Sequence, residues 1–131
     1  MAFDFLKNII SQKHILIVDD DKNILRIFGD LLQKRKYKVT TGSCFADLGD
    51  LEELPDVDLV LLDCFLNPPP SGPEIALRLR KAGIECPICF ITAKNASIKE
   101  ENELKALTHD THFLHKPVSA VALLNKVSEI I

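Results

Sequence analysis

Asp19, Asp20 and Asp21 stand in a row directly after an apolar run at residues 15–18. Asp63 follows a second run at 59–62, Thr92 closes a third, and Lys116 follows a short fourth at 111–115. Carboxylates brought close together repel, and they hold protons unless a cation joins them. A cluster of hard oxygen ligands suits Mg²⁺, which takes few protein carboxylates and keeps sites for water or phosphate oxygens. With one hydroxyl and one ammonium added, the set matches the charge of a phosphoryl group in transfer. Asp63, centrally placed, is then the nucleophile that forms an aspartyl-phosphate.

That chemistry needs a scaffold that collects these residues. Residues 15–18 and 59–62 lack helical spacing and read as strands buried on both faces. Pro68, Pro69, Pro70 and Gly72 cannot continue a central strand, so Asp63 sits at its carboxyl end. A buried charge with no partner there costs several kcal/mol. A helix is predicted over 22–36, with Ile24, Leu25, Ile27, Phe28, Leu31 and Leu32 on one side. One Asp caps it and a second suits its first turn, so three exceed what capping requires. Further helices are predicted over 44–54 (a weaker one, broken by Gly49 and stopped before Pro55), 73–82, 96–107 and 119–131, with strands over 37–41, 86–92 and 111–115. The 96–107 helix has few apolar anchors and is predicted to be the least firmly held. Strand and helix thus alternate five times, which implies a doubly wound α/β fold with a five-stranded parallel sheet. All strand carboxyl ends then share one edge, and Asp19, Asp20, Asp21, Asp63, Thr92 and Lys116 meet there.

The 131 residues suffice for one domain with a real core. A net charge of -3 argues against direct nucleic-acid binding. No apolar run is long enough to span a membrane, and no secretory signal stands at the start. Cys44, Cys64, Cys86 and Cys89 read as reduced thiols of a cytoplasmic protein. Cys86 and Cys89 have zinc-knuckle spacing, with His109, His112 and His115 as conceivable partners. Residues 1–13 carry Phe3, Leu6, Ile9 and Ile10 at helical spacing, as an amphipathic extension to a domain at 14–131. It packs on its own domain, or serves a homodimer or a partner.

The acidic pair Asp19 and Asp20 after ILIV, Asp63 after LVLL, Thr92-Ala93 after CFI, and Lys116-Pro117 after FLH resemble one known pattern. In that order, at the ends of strands one, three, four and five, they are similar to the response-regulator receiver domains of two-component signalling, in a single-domain, chemotaxis-regulator-like form. The resemblance covers residues 14–131. It implies a flavodoxin-like strand order 2-1-3-4-5, with five helices besides the extension. It implies that Asp63 accepts a phosphoryl group from a phosphohistidine on a histidine kinase or phosphotransfer protein, as in a phosphorelay. Mg²⁺ would be held by Asp19, Asp20, Asp63 and the Phe65 backbone carbonyl. Thr92 and Lys116 would contact phosphoryl oxygens, and Thr92 and Phe113 would form the switch. Lys116-Pro117 would be a cis peptide. A downstream protein would dock on the face of the fourth helix, fifth strand and fifth helix.

Two stretches depart from the family pattern. The loop after Asp63 holds three prolines and places Gly72 nine residues on instead of eight. The interval from Thr92 to Lys116 is about two residues longer, with His109 to His112 in place of the usual Gly-Ala. Phe65 and Lys94 flank the reaction mouth, and an apolar Phe65 cannot orient an attacking water. Slow autodephosphorylation is therefore expected, without turnover of small substrates. With no output domain after Ile131, a stand-alone or excised receiver is expected. Two other readings remain: a Mg²⁺-dependent phosphatase using Asp19 and Asp21, and a receiver-like interaction module that is never phosphorylated.

Overall fold

The computed structural model describes residues 12–93 and 95–131. The predicted extension therefore lies outside the described residues, apart from Gln12 and Lys13, as does Lys94. The strands are β1 (His14–Val18), β2 (Lys38–Gly42), β3 (Leu59–Asp63), β4 (Ile88–Thr92) and β5 (Thr111–His115). They form one parallel sheet in the order β2-β1-β3-β4-β5. The helices are α1 (Lys22–Lys34), α2 (Gly72–Lys81), α3 (Ile98–Leu107) and α4 (Ala120–Ile130).

Period-two alternation in the central strands divides the core between the two faces of the sheet. Leu16, Val18, Val60, Leu62, Ile88 and Phe90 pack with Ile75 and Leu79 of α2. Ile15, Ile17, Leu59, Leu61, Cys89 and Ile91 pack with Phe28 and Leu32 of α1 and with Leu123 and Val127 of α4. Every residue of β1, β3 and β4 is buried, as the continuous apolar runs required.

Five helices after the extension were expected, and the described residues hold four. The missing one is the predicted 44–54 helix, which is instead two 3-10 turns, Phe45–Leu48 and Leu51–Glu53. Three local preferences break it. Gly49 adopts φ 65°, ψ −143°, a backbone that ends the first turn. Asp50 caps the second turn through the Glu52 amide. The Asp47 carboxylate is turned back onto the Ser43 amide and hydroxyl. The apolar residues still reach the core: Leu48 is buried, and Phe45, Leu51 and Leu54 pack against it.

α3 has no buried residue, in line with its sparse anchors. The long interval before Lys116 is pinned by Arg80 at the end of α2. Its guanidinium donates to the carbonyls of Ile84, Cys86 and His109 and to Thr108 Oγ1, at 2.7 to 2.9 Å. Cys86 packs on the α2 half of the core and Cys89 lies inside the α1–α4 half, so the pair does not converge on an ion. All four cysteines are free. Burial pushes the Cys64 and Cys89 thiols up to about 12 and Cys86 up to about 11, so all three stay protonated at neutral pH. No helix among the described residues is long and apolar enough to cross a membrane.

Candidate functional site

Parallel register delivers the strand ends to one edge. Asp63 pairs with Ile91, one residue before Thr92, and Thr92 pairs with His115, one residue before Lys116. The pairing continues past β5, because the Lys116 amide donates to the Thr92 carbonyl at 2.9 Å. Lys116 is thereby fixed at its backbone while its side chain remains half exposed and free to extend. Its Nζ lies 3.2 Å from Asp63 Oδ1. The same Oδ1 accepts the Phe65 amide at 3.2 Å.

Asp19 and Asp63 are each only 1% exposed, whereas Asp20 is exposed. One carboxylate oxygen from each of Asp19, Asp20 and Asp63 can be chosen so that all lie within 4.8 Å of one another. Among the described residues this is the one group of three or more His, Cys, Asp or Glu placed to share an ion. Asp19 Oδ1 accepts the Asp21 amide at 2.9 Å, but Asp19 Oδ2 is buried with no partner. Removal from water, with Asp63 and Asp20 adding to the effect, raises the Asp19 carboxyl from 3.8 to about 6. The Asp21 amide and Lys116 oppose that rise. A buried oxygen lacking a donor, within a set of hard oxygen ligands, fits a small divalent cation.

Asp21 is used differently. Its carboxylate caps α1 by accepting the Asn23 and Ile24 amides, as the sequence suggested for one of the three acids. It is therefore committed to the helix, which weighs against the role the phosphatase reading would give it. Thr92 is buried and its hydroxyl donates to the Leu114 carbonyl at 3.4 Å. Phe113 stacks on Phe90 with ring centroids 6.2 Å apart, and the Lys105 ammonium of α3 lies 5.6 Å from its centroid. The Lys116-Pro117 peptide is cis.

Three features were missed from the sequence. The Asn67 amide donates to Asp20 Oδ2 at 3.1 Å, which ties the proline-rich loop to the acid cluster. That loop contains two further cis peptides, Asn67-Pro68 and Pro69-Pro70, for which the proline triplet was the available signal. Gly72 sits against the end of β3, where a Cβ would lie 2.1 Å from the Asp63 carbonyl oxygen. Its place after a proline run at a helix start was the signal for such an approach.

Comparison with known proteins agrees with this geometry. The family model described as the response regulator receiver domain matches residues 15–128. The chain is 35% identical over 114 residues to the nisin biosynthesis regulatory protein NisR of Lactococcus lactis, covering 86% of this chain and 48% of that protein. It is 36% identical over 115 residues to the transcriptional regulatory protein DltR of Streptococcus agalactiae, covering 86% of this chain and 49% of that one. The chain thus spans about half the length of these relatives. Among solved structures, a CheY-like response regulator receiver domain protein from Methanospirillum hungatei superimposes with a TM-score of 0.78 at 29% identity. That match covers 91% of this chain and 93% of the other. The continuous match of sequence and fold places the chain in the response regulator receiver domain family.

Proposed function

We propose that this receiver domain accepts a phosphoryl group on Asp63 from a phosphohistidine of a histidine kinase or phosphotransfer protein. The observation that carries the reading is the 3.2 Å contact between Lys116 Nζ and Asp63 Oδ1 beside the three-carboxylate cluster. A lysine held by strand pairing opposite a buried acid can counter the charge of an incoming phosphoryl group. Asp19, Asp20, Asp63 and the Phe65 carbonyl would hold Mg²⁺, which when bound supplies neutralising charge for the carboxylates and phosphoryl oxygens. The Lys116 and Phe65 contacts both fall on Asp63 Oδ1, so Oδ2 is the oxygen assigned to attack. The new O–P bond forms as the N–P bond of the donor imidazole breaks. The imidazole keeps that electron pair and is neutral again after proton exchange with solvent.

Thr92 and Lys116 then share the phosphoryl oxygens. Thr92 must give up the Leu114 carbonyl to do so, and that exchange is the start assigned to the switch, with Phe113 next along β5. Phosphorylation shifts a two-state equilibrium on the α3–β5–α4 face, where a downstream protein docks. The net charge of -3 supports a protein target for this domain over direct nucleic-acid contact, and the free thiols suit a cytoplasmic setting.

Incubation with acetyl phosphate and Mg²⁺, followed by intact mass measurement, tests this reading. One added phosphoryl group is expected, absent in Asp63→Asn. No mass gain leaves the unphosphorylated module, whereas turnover of phosphate ester in excess over protein favours the phosphatase. The same assay reads lifetime. The Phe65 side chain is 74% exposed at the mouth and has no group to hold water for attack. The phosphorylated form should therefore persist for minutes or longer, and a half-life of seconds in a phosphate-release assay would overturn that expectation.

A further inference from the structure

A second concavity, of about 380 Å³, opens between the start of α2 and the length of α3. Its walls include Phe65, Leu104 and Leu107, and its rim carries Glu100, Glu101 and Glu103. Among the described residues lining it there is no lysine or arginine. Phe65 is 74% and Leu107 50% exposed, so two large apolar side chains meet water beside an acidic rim. α3 buries none of its residues although it carries Ile98, Leu104 and Leu107. Glu101 is occupied by His115, while Glu100 and Glu103 make no ion pair among the described residues.

We infer that this cleft is a docking groove for a basic amphipathic segment of a partner protein, one that inserts leucine or phenylalanine anchors and sets lysine or arginine against the Glu100 and Glu103 rim. The volume suits one or two anchor side chains, and a helix laid in a groove is read through such anchors. The rim charge selects the partner's sign, since like charges facing each other across a contact oppose binding. The groove lies on the α2–α3 side of the sheet and shares Phe65 and Thr92 with the acid-cluster edge, so binding is tested first in the unphosphorylated state. Residues 1–11 are a less suitable occupant, because their one lysine and one aspartate cancel and leave no basic face.

The test uses the full, unphosphorylated chain and a synthetic peptide of about 15 residues, long enough for four helical turns. Leucine and phenylalanine line one face of this peptide and lysine and arginine the other. A second peptide replaces each basic residue by glutamate. Fluorescence polarisation should show the basic peptide binding at least about tenfold more tightly than the acidic one, with the difference shrinking as salt rises. Amide cross-peaks of Phe65, Leu104 and Leu107 should move on binding. Leu107→Ser, and the Glu100→Lys/Glu103→Lys pair, should each lose at least about tenfold in affinity. The peptide swap uses the parent chain, so it decides the matter even if a variant does not fold. Equal affinity for the two peptides, no binding, or shifts confined to another face would overturn the proposal. Tighter binding of a peptide of residues 1–11 would give the groove to the chain's own N-terminus instead.

Discussion

Gly72→Ala is expected to lower the melting temperature by on the order of 10 °C and, on the function proposed above, to remove most of the phosphoryl mass gain at Asp63 in the acetyl phosphate assay. A Cβ on Gly72 would lie 2.1 Å from the Asp63 carbonyl oxygen, and 2.9 Å from both the Asp63 carbonyl carbon and the Cys64 Cα. All three atoms are backbone, so no flexible side chain can move aside. α2 would have to withdraw from the tip of β3 and stretch the Gly72 amide's 3.1 Å bond to the Cys64 carbonyl. Overpacking of this kind costs about 3 kcal/mol. Gly83→Ala is the matched control. It meets nothing within 4 Å, and its φ of +87° carries only the backbone penalty of about 1–2 kcal/mol. Thermal melts followed by circular dichroism compare the two. A Gly72→Ala protein that melts with or above Gly83→Ala would show that the close approach of α2 does not matter.

Asp19→Asn is expected to stabilise the metal-free protein at neutral pH while abolishing its response to Mg²⁺. The side chain is buried, and its carboxyl titrates at about 6 in the folded chain against 3.8 in the ordinary state. The folded protein therefore holds this proton more tightly than the unfolded one. Stability from this group is complete below about pH 4, falls as pH rises towards 6, and stays lost above. A shift of about two units corresponds to about 3 kcal/mol, and an asparagine that keeps the bond to the Asp21 amide should recover on the order of 2 kcal/mol of it. Urea unfolding should place the variant above the parent at pH 7.5, with the two converging near pH 4. Millimolar Mg²⁺ should raise the parent's midpoint and leave the variant's unchanged. A variant less stable than the parent at pH 7.5 would mean that the Asp19 carboxylate has a donor in solution and bears no burial penalty.

The readable part of the sequence was the part governed by burial. Ile15 to Val18, Leu59 to Leu62 and Ile88 to Ile91 are apolar because both sheet faces are covered, and each run ends where its polar residue reaches the edge. A parallel sheet places all such ends together, so Asp19, Asp63, Thr92 and Lys116 could be assembled from spacing alone. Residues 44–54 were misread because helical spacing of Phe45, Leu48, Leu51 and Leu54 serves two short turns packed on the same core equally well. Local bonds of Asp47 and Asp50 decided between them, and those depend on which amides the fold leaves free. The orphaned Asp19 oxygen and the Asn67–Asp20 bond were invisible for a related reason. The bond joins residues distant in sequence, the oxygen is orphaned by burial from several strands at once, and neither has a hydropathy signature.

Asp20 links the acid cluster to the proline-rich loop that leads into α2. Its carboxylate belongs to the acid cluster and also receives the amide of Asn67, just ahead of three prolines with no amide hydrogen of their own. Their rings lock one backbone torsion at each position, so the segment bends little. Ser71, which opens α2, follows directly, so the Asn67 bond anchors at the acid cluster a loop of restricted backbone that leads into a helix.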